Sequence, residues 1–437
     1  MRGLKRNPWL FGLGVLLAVL VVYGGHARAD VNTDQSGSIV LFPKVIADGT
    51  RDTMIQITNT SNMSAQAHCF YIASGSCSES ADIYCNSDAE CPTSETCVLP
   101  CNEIDFDLFL TAQQPTMWRV SSGRIVDITT PPCKINGGPC QCSVDYLSGG
   151  IDCPGFDPGT GSQGSFAVKP TGTHFRGELK CIQTDDSFQT PIMQNSLKGE
   201  AVIETLESGQ VSEYNALAIT ALPGLNGNND LLLNNTEYNA CPRNLIMNHF
   251  TDFARDDFTG SDVVTELTLV PCTELLEEQI PTRTRALFTI VNEFEQPLSA
   301  AITFDCFLNL PLFLISENFT ESTVASQFAK TRITPPQDTI CATGDNRGLT
   351  CDTNADCPNF LTTPDGTQLG CRPWSGVLGV AEEYYISGLL RPGGPKGIIP
   401  LRPPGTAAFN LHVEGSRSST ASVPADIIVV PQGEGLQ

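Results

Sequence analysis

The feature that most constrains this chain is its 18 cysteines, carried behind what reads as an export signal. In an oxidising compartment a high, even count pairs into disulfides, which order loops too polar to build a core of their own. The signal has three parts. Arg2, Lys5 and Arg6 give a positive start, Trp9–Tyr23 is apolar apart from Gly12 and Gly14, and Ala27-Arg28-Ala29 offers small residues for cleavage. That apolar run is shorter than the ~20 residues a spanning helix needs. Residues 1–29 are therefore expected to be removed, with no membrane insertion of the mature chain. The expected location is secreted, extracellular or on the cell surface, or periplasmic in a Gram-negative cell.

The cysteines are Cys69, Cys77, Cys85, Cys91, Cys97, Cys101, Cys133, Cys140, Cys142, Cys153, Cys181, Cys241, Cys272, Cys306, Cys341, Cys351, Cys357 and Cys371. No CxxC knuckle occurs, so zinc and haem attachment give way to cystines. Two inserts match each other. Cys77, Cys85, Cys91 and Cys97 parallel Cys341, Cys351, Cys357 and Cys371, with Cys85-Asn-Ser-Asp-Ala-Glu-Cys91-Pro against Cys351-Asp-Thr-Asn-Ala-Asp-Cys357-Pro. Pairing within each group of four is expected, and within Cys133, Cys140, Cys142 and Cys153 in a third insert. Four cysteines allow three connectivities, and spacing does not choose among them.

Between the cysteines the chain reads as short strands. Ser38–Ile46, Thr53–Thr58, Gln66–Ile72, Phe175–Ile182 and Arg285–Val291 are rich in β-branched or aromatic residues and bounded by turn formers. Gly (38) and Pro (30) are frequent enough to punctuate many turns. The expected fold is all-β, with two tandem immunoglobulin-like antiparallel β-sandwich domains carrying disulfide-rich loop inserts. The first domain is placed at 30–275, with inserts near 74–101 and 131–163. The second is placed at 276–437, with an insert near 339–373. Three matches suggest a duplication. They are Met54–Asn59…Cys69-Phe70 with Leu287–Asn292…Cys306-Phe307, Asn244–His249 with Asn410–His412, and Thr265–Pro271 with Ala425–Pro431.

A net charge of −23 excludes a nucleic-acid partner, since phosphate binding needs a basic face. Within the inserts, Asn86, Asp88 and Glu90, and Asp352, Asn354 and Asp356, stand at alternate positions. Oxygen donors so spaced suit calcium, although the Gly and distal Glu of an EF-hand are missing. Calcium is the one ion this composition invites, and no other cofactor is expected.

Catalytic signatures are scarce. HExxH, GxSxG and a Walker-type loop are absent. Glu178 and Glu200 share a Gly-Glu context and would approach glycosidase spacing only if their strands paired. Cys69 beside His68 invites a nucleophile–base reading, but strand neighbours face opposite sides, and a disulfide accounts better for Cys69. Trp118, Trp374 and the Tyr384-Tyr385 pair could form a stacking platform or cap a core. The reading that follows is a secreted, non-enzymatic structural or adhesion-type protein, with Ser38–Ile46 as an edge strand for self-association. The alternatives are an extracellular module binding glycan or calcium, and a secreted hydrolase. Partners would be a second copy, a surface protein or a glycan.

Overall fold

Period-two patterning becomes strand wherever one face meets solvent. Thr284–Asn292 alternates buried and open positions along its whole length. The computed structural model describes residues 31–413 except 81–83, 86–90, 99–102, most of 126–174, 189, 227–230, 256–260, 273–282, 363–365, 367 and 387–404. It is 55% strand and 5% helix, a sandwich-like all-β fold of antiparallel sheets with many disulfides. The export signal, the insert near 131–163 with its four cysteines, Cys101, and Ala425–Pro431 lie outside the described residues.

In chain order the first region contains β1 (Ile39–Ala47), β2 (Arg51–Asn59), β3 (Ala65–Ala73), β4 (Glu103–Leu110) and β5 (Pro115–Arg119). It continues with β6 (Phe175–Thr184), β7 (Leu197–Thr205), β8 (Gln210–Asn215) and β9 (Leu217–Ile219). These strands run in the order β8-β7-β2-β1-β6-β3-β4, with β5 beside β2 and β9 beside β1. β1 and β2 touch at the single pair Ala47↔Asp52, so the sheet folds over there into two layers. The core lies between them, with Phe42, Ile55, Tyr71, Phe106, Trp118, Leu179 and Ile203 interdigitating. Cys69 and Cys181 face each other across β3 and β6 and form a disulfide.

β1 is not an edge. All nine of its residues are buried, flanked by β6 and β9, which corrects the expectation for Ser38–Ile46. Its continuous apolar run has a direct cause. Phe42 and Val45 enter the first core, while Ile39 and Leu41 enter a second cluster with Leu231, Tyr238, Val270 and Leu378. A strand buried on both faces loses the alternation that marks a wet edge.

The second region contains β10 (Leu245–Phe250), β11 (Asp262–Cys272), β12 (Thr284–Asn292), β13 (Pro297–Phe304) and β14 (Leu308–Pro311). Short helices α1 (Leu312–Ile315) and α2 (Glu321–Val324) follow, then β15 (Phe328–Thr334), β16 (Gly376–Ile386), β17 (Gly405–Asn410) and β18 (His412–Val413). A five-stranded sheet, β13-β12-β15-β10-β18, packs against a four-stranded sheet, β14-β11-β16-β17. Met247, Leu267, Phe288, Phe319, Ile333 and Ala381 fill the space between. β10 and β11 were expected to close the first domain at 275, yet they pair with β15, β18, β14 and β16. The sheets therefore divide between residues 219 and 245. Residues 30–415 form one compact unit.

The repeat signals have mixed outcomes. Asn59 and Asn292 both end their strands, are buried, and start the following turn through Oδ1, which accepts from the N–H two residues on. Each Nδ2 then anchors a more distant carbonyl, Thr111 for Asn59 and Val324 for Asn292. β12 and β13 form a hairpin, whereas β2 and β3 pair with different partners and pass between layers. Of the Asn244–His249 and Asn410–His412 match, Ile246 stands opposite His412 in the five-stranded sheet, whereas Asn410 ends β17 in the four-stranded sheet opposite Val380.

The two described inserts share one design. Cys77 bonds Cys91 and Cys85 bonds Cys97, while Cys341 bonds Cys357 and Cys351 bonds Cys371. In both, the first and fourth cysteines stand opposite each other on a short ladder, and the bonds join first to third and second to fourth. Cys241–Cys272 closes another loop, Cys306 is also disulfide-bonded, and no described cysteine is free.

Candidate functional site

Lys44 is the charged residue within the apolar strand β1, and it is fully buried. A buried ammonium needs anions and hydrogen-bond acceptors, or it will neutralise. Its anions come from the second region. Glu266 on β11 and Glu382 on β16 are direct cross-strand partners, an arrangement of like charges that is unfavourable alone. Lys44 Nζ sits between them, 2.5 Å from Glu266 Oε1 and 2.6 Å from Glu382 Oε2. Ser212 donates to Glu382 Oε1 at 2.6 Å, and Asn309 donates to Glu266 Oε1 at 2.9 Å. Tyr384 donates to Glu382 Oε2 at 2.7 Å and accepts from Arg51 Nη1 at 2.7 Å. Arg51 and Arg176 both reach Asp48.

Burial would raise both glutamates, but Lys44 and Arg51 outweigh it and hold them below their ordinary range. Asp48 falls to about 2 against the same burial, through Arg51, Thr50 and Arg176. The arrangement is a neutral, hydrogen-bonded lattice joining the two regions. Its groups are occupied by one another.

A second feature is open. A groove of ≈ 530 Å³ lies where β10 and β12 end and β15 begins, walled on one side by Glu383 of β16. Phe250 and Phe328, cross-strand partners on β10 and β15, line it with ring centroids 4.3 Å apart and planes tilted by 41°. Glu383 accepts from the Phe250 N–H and the Tyr385 hydroxyl, and burial pushes its carboxyl up. Glu293 accepts from Ser326 Oγ. His249 is buried at the base. Its Nδ1 faces the Phe250 carbonyl at 2.6 Å, which can only accept, so that nitrogen carries the proton. Nε2 then accepts from Thr331 Oγ1 at 2.9 Å. Burial depresses this imidazole to about 4, and it is neutral at pH 7. Ring faces, two carboxylates and the Lys330 ammonium at the rim can stack on an apolar face and bond hydroxyls.

No protein-family model matches this sequence, and no curated protein matches it.

Among the acids suggested for calcium, Asn86, Asp88 and Glu90 lie outside the described residues. Asp356 caps the turn at 354–356, accepting from the N–H groups of Asp352 and Thr353 and from Thr353 Oγ1. Asn354 Oδ1 accepts from the Cys371 N–H, and its amide donates to Gln368. Among the described residues, the metal-capable triads are Cys77/Cys85/Cys91 and Cys341/Cys351/Cys357, whose sulfurs are in disulfides.

Glu178 and Glu200 are on β6 and β7, which pair with other strands and not with each other. Glu178 is buried against Lys180 at 3.0 Å. It follows Gly177, the start of a bulge where a Cβ would overlap the Ile72 carbonyl oxygen. His68 pairs across the ladder with Asp107 at 3.0 Å, while Cys69 turns to Cys181. Trp118 is a core residue donating to the Tyr71 hydroxyl, and Trp374 donates to Asp338. Tyr384 belongs to the charge lattice, and Tyr385 donates to Glu383 in the groove wall. Lys44, Arg51, Glu266 and Glu382 were not singled out in sequence. A lone Lys in an otherwise apolar strand was the available signal.

Proposed function

We propose that the protein is an exported, non-enzymatic structural or adhesion-type protein built from two immunoglobulin-like sandwiches held as one rigid body. The observation that carries this reading is the Lys44–Glu266–Glu382 lattice, in which buried charges of two regions neutralise each other. Removing any one member strands the others, so the lattice serves rigidity and register between the regions. Stapled inserts extend this economy to the loops, and abundant disulfides are compatible with an extracellular setting. Adhesion is argued from this construction and not from the fold class, which hosts many activities.

The test is to present the oxidised protein to immobilised extracellular polysaccharides and surface proteins, alongside chromogenic esters and glycosides. Binding or assembly without turnover is expected. Turnover abolished by a single carboxylate substitution would overturn the reading in favour of a hydrolase.

A second reading, glycan binding, is favoured by the groove, where the Phe250–Phe328 pair adjoins Glu293, Glu383 and Lys330. Phe328→Ala should lower retention on a polysaccharide by about tenfold, the scale of one lost stacking contact. Unchanged retention would exclude the groove.

A further inference from the structure

One sheet edge in this acidic molecule carries no charge. β13 ends the five-stranded sheet and, among the described residues, pairs only with β12. Gln296–Phe304 holds no Asp, Glu, Lys or Arg, in a chain with 48 acids and 25 Lys plus Arg. The solvent-facing side chains of β13 are Pro297, Ser299, Ala301 and Thr303, none of them large. β4, which ends its own path of strands, carries Glu103, Asp105 and Asp107 instead. Edge strands are commonly guarded by such charge, because a bare edge recruits another strand.

The hairpin turn fixes which backbone groups stand open. The Asn292 N–H donates to the Gln296 carbonyl at 3.3 Å, so Asn292, Ile290, Phe288 and Ala286 bond toward β13. Their partners Leu298, Ala300 and Ile302 bond back, and the residues between them turn their N–H and C=O groups away from the sheet. Asn318 Nδ2 reaches the Ser299 carbonyl from that open side at 2.7 Å. Ala301 and Thr303 face no strand there among the described residues, which leaves the N–H and C=O of each without a backbone partner.

The inner side of the same edge is apolar. Leu298, Ala300 and Ile302 pack against the second core yet stay partly exposed. α1 packs beside β13 and leaves Leu314 58% exposed. The flanking charges stand back from Ala301 and Thr303. Asp305 is held by Arg347 at 3.1 Å, Glu293 and Glu295 lie in the hairpin turn, and Arg285 is on β12 opposite Thr303.

We infer that β13 pairs antiparallel with β13 of a second copy, about a two-fold axis through Ile302. Ala301 of each copy then exchanges N–H···O=C bonds with Thr303 of the other, so the open groups of both residues are met. Ile302 faces its own counterpart in a non-hydrogen-bonded pair, where side chains approach most closely, and the two apolar rims join. Ser299 stays with Asn318. One patch meets itself, so the contact is isologous and closes as a dimer. In a chain of net charge −23, self-pairing suits an uncharged edge, because a charge beside the axis meets its like. This inference rests on the structural reading above and names the partner that reading leaves open.

Proline at the open edge provides the test, on the full, oxidised chain. Light scattering should find a dimer that dissociates on dilution and holds or tightens between about 50 and 500 mM salt, since salt screens only the net repulsion. Thr303→Pro removes an outward N–H and no bond to β12, a place where an edge strand tolerates proline. It should weaken the dimer at least about tenfold, the scale of the two hydrogen bonds lost by symmetry. Thr303→Val, which keeps the N–H, should leave it unchanged. Near-UV circular dichroism unchanged from the parent shows that each variant folds. Amide hydrogen exchange at Ala301 and Thr303 should slow as protein concentration rises. A parent that stays monomeric at its highest soluble concentration overturns the pairing, as does a dimer indifferent to Thr303→Pro. A monomer whose Ala301 and Thr303 amides are protected at every concentration also overturns it, since another segment of the same chain then holds the edge. If such monomers still adhere to polysaccharides or surface proteins, the pairing fails while the adhesion reading survives.

Discussion

Two buried carboxylates meet at adjacent residues of β11 and behave in opposite ways. Glu266 faces the first region, where Lys44 and Arg51 hold it far below its ordinary range despite its burial. Asp252 caps the N–H of Thr265, the preceding residue, at 2.8 Å and that of Phe313 at 2.7 Å. Among the described residues no cation reaches it, and burial with Glu383 nearby raises its carboxyl to about 8, against the pull of its two N–H donors. Asp252 is fully buried and Glu266 keeps 13% of its side chain exposed, a difference too small to set the two ionisations in opposite directions. The decisive difference is a cation contributed by another part of the chain. One acid joins two regions as an ion. The other ties β11 to α1 as a largely protonated group below pH 8.

The sharpest way to break this comparison is to remove the cation. Lys44→Met leaves Glu266 and Glu382 opposed across a ladder with no ammonium between them. Denaturant titration should show a loss of about 3–5 kcal/mol, the usual cost of stranding a buried charge. Converting both glutamates to Leu in the same chain should recover much of that loss, because a well-packed apolar replacement of a buried pair is often neutral. A loss below about 1 kcal/mol on Lys44→Met would mean that solvent or rearrangement already compensates the lattice.

Asp252→Asn is next in size, and its dependence on pH is more telling than its magnitude. The amide keeps one acceptor where the acid served two N–H groups, so the cost should be about 1–3 kcal/mol near pH 5. The wild-type contribution has a definite direction. A carboxyl whose folded value lies above its unfolded value stabilises fully below about pH 4 and loses that stability as pH rises through 8. The groups facing Asp252 are the Thr265 and Phe313 amides and Glu383, none of them cationic. The gap between variant and wild type should therefore shrink from pH 5 to pH 9. A gap that widens instead would show that Asp252 is ionised and paired like Glu266.

The sequence carried the local half of this contrast and not the relational half. The alternation at Thr284–Asn292 and the paired turns at Asn59 and Asn292 are local, and they were legible. So was the grouping of cysteines into two like inserts, because short loops restrict which sulfurs can meet. The strand Ile39–Ala47 was recognised, but its place was not. An apolar run has the same composition whether a strand is buried on both faces or lies exposed at an edge. β10 and β11 fall before the boundary expected at 275 but pair with strands beyond it, because a matched motif says that two segments are alike, not that they are neighbours. Lys44, Glu266 and Glu382 are separated by hundreds of residues, and no spacing rule links them. What defines the candidate site is long-range pairing, which patterning does not encode.

His249 sharpens the comparison from the basic side and should give the smallest effect near neutral pH. It is buried like Lys44, but its neighbours are the Phe250 carbonyl, the Thr331 hydroxyl and the Phe319 ring, with Glu383 along the groove wall. With no close anion among the described residues, burial holds it at about 4, below the ordinary 6.5. The unfolded chain then binds a proton that the fold refuses. Stability from this residue is complete above pH 6.5 and is lost as pH falls toward 4, at no more than about 1.4 kcal/mol per pH unit. Asp48, held at about 2, titrates below this window, and Asp252 changes stability with the opposite sign across it. Comparing His249→Gln with wild type removes both backgrounds. The variant should be less stable at pH 7.5 through loss of packing, and the difference should narrow steadily as pH approaches 4. Parallel curves from pH 7.5 to 4 would mean that the imidazole charges inside the fold, with Glu383 doing for His249 what Glu266 and Glu382 do for Lys44.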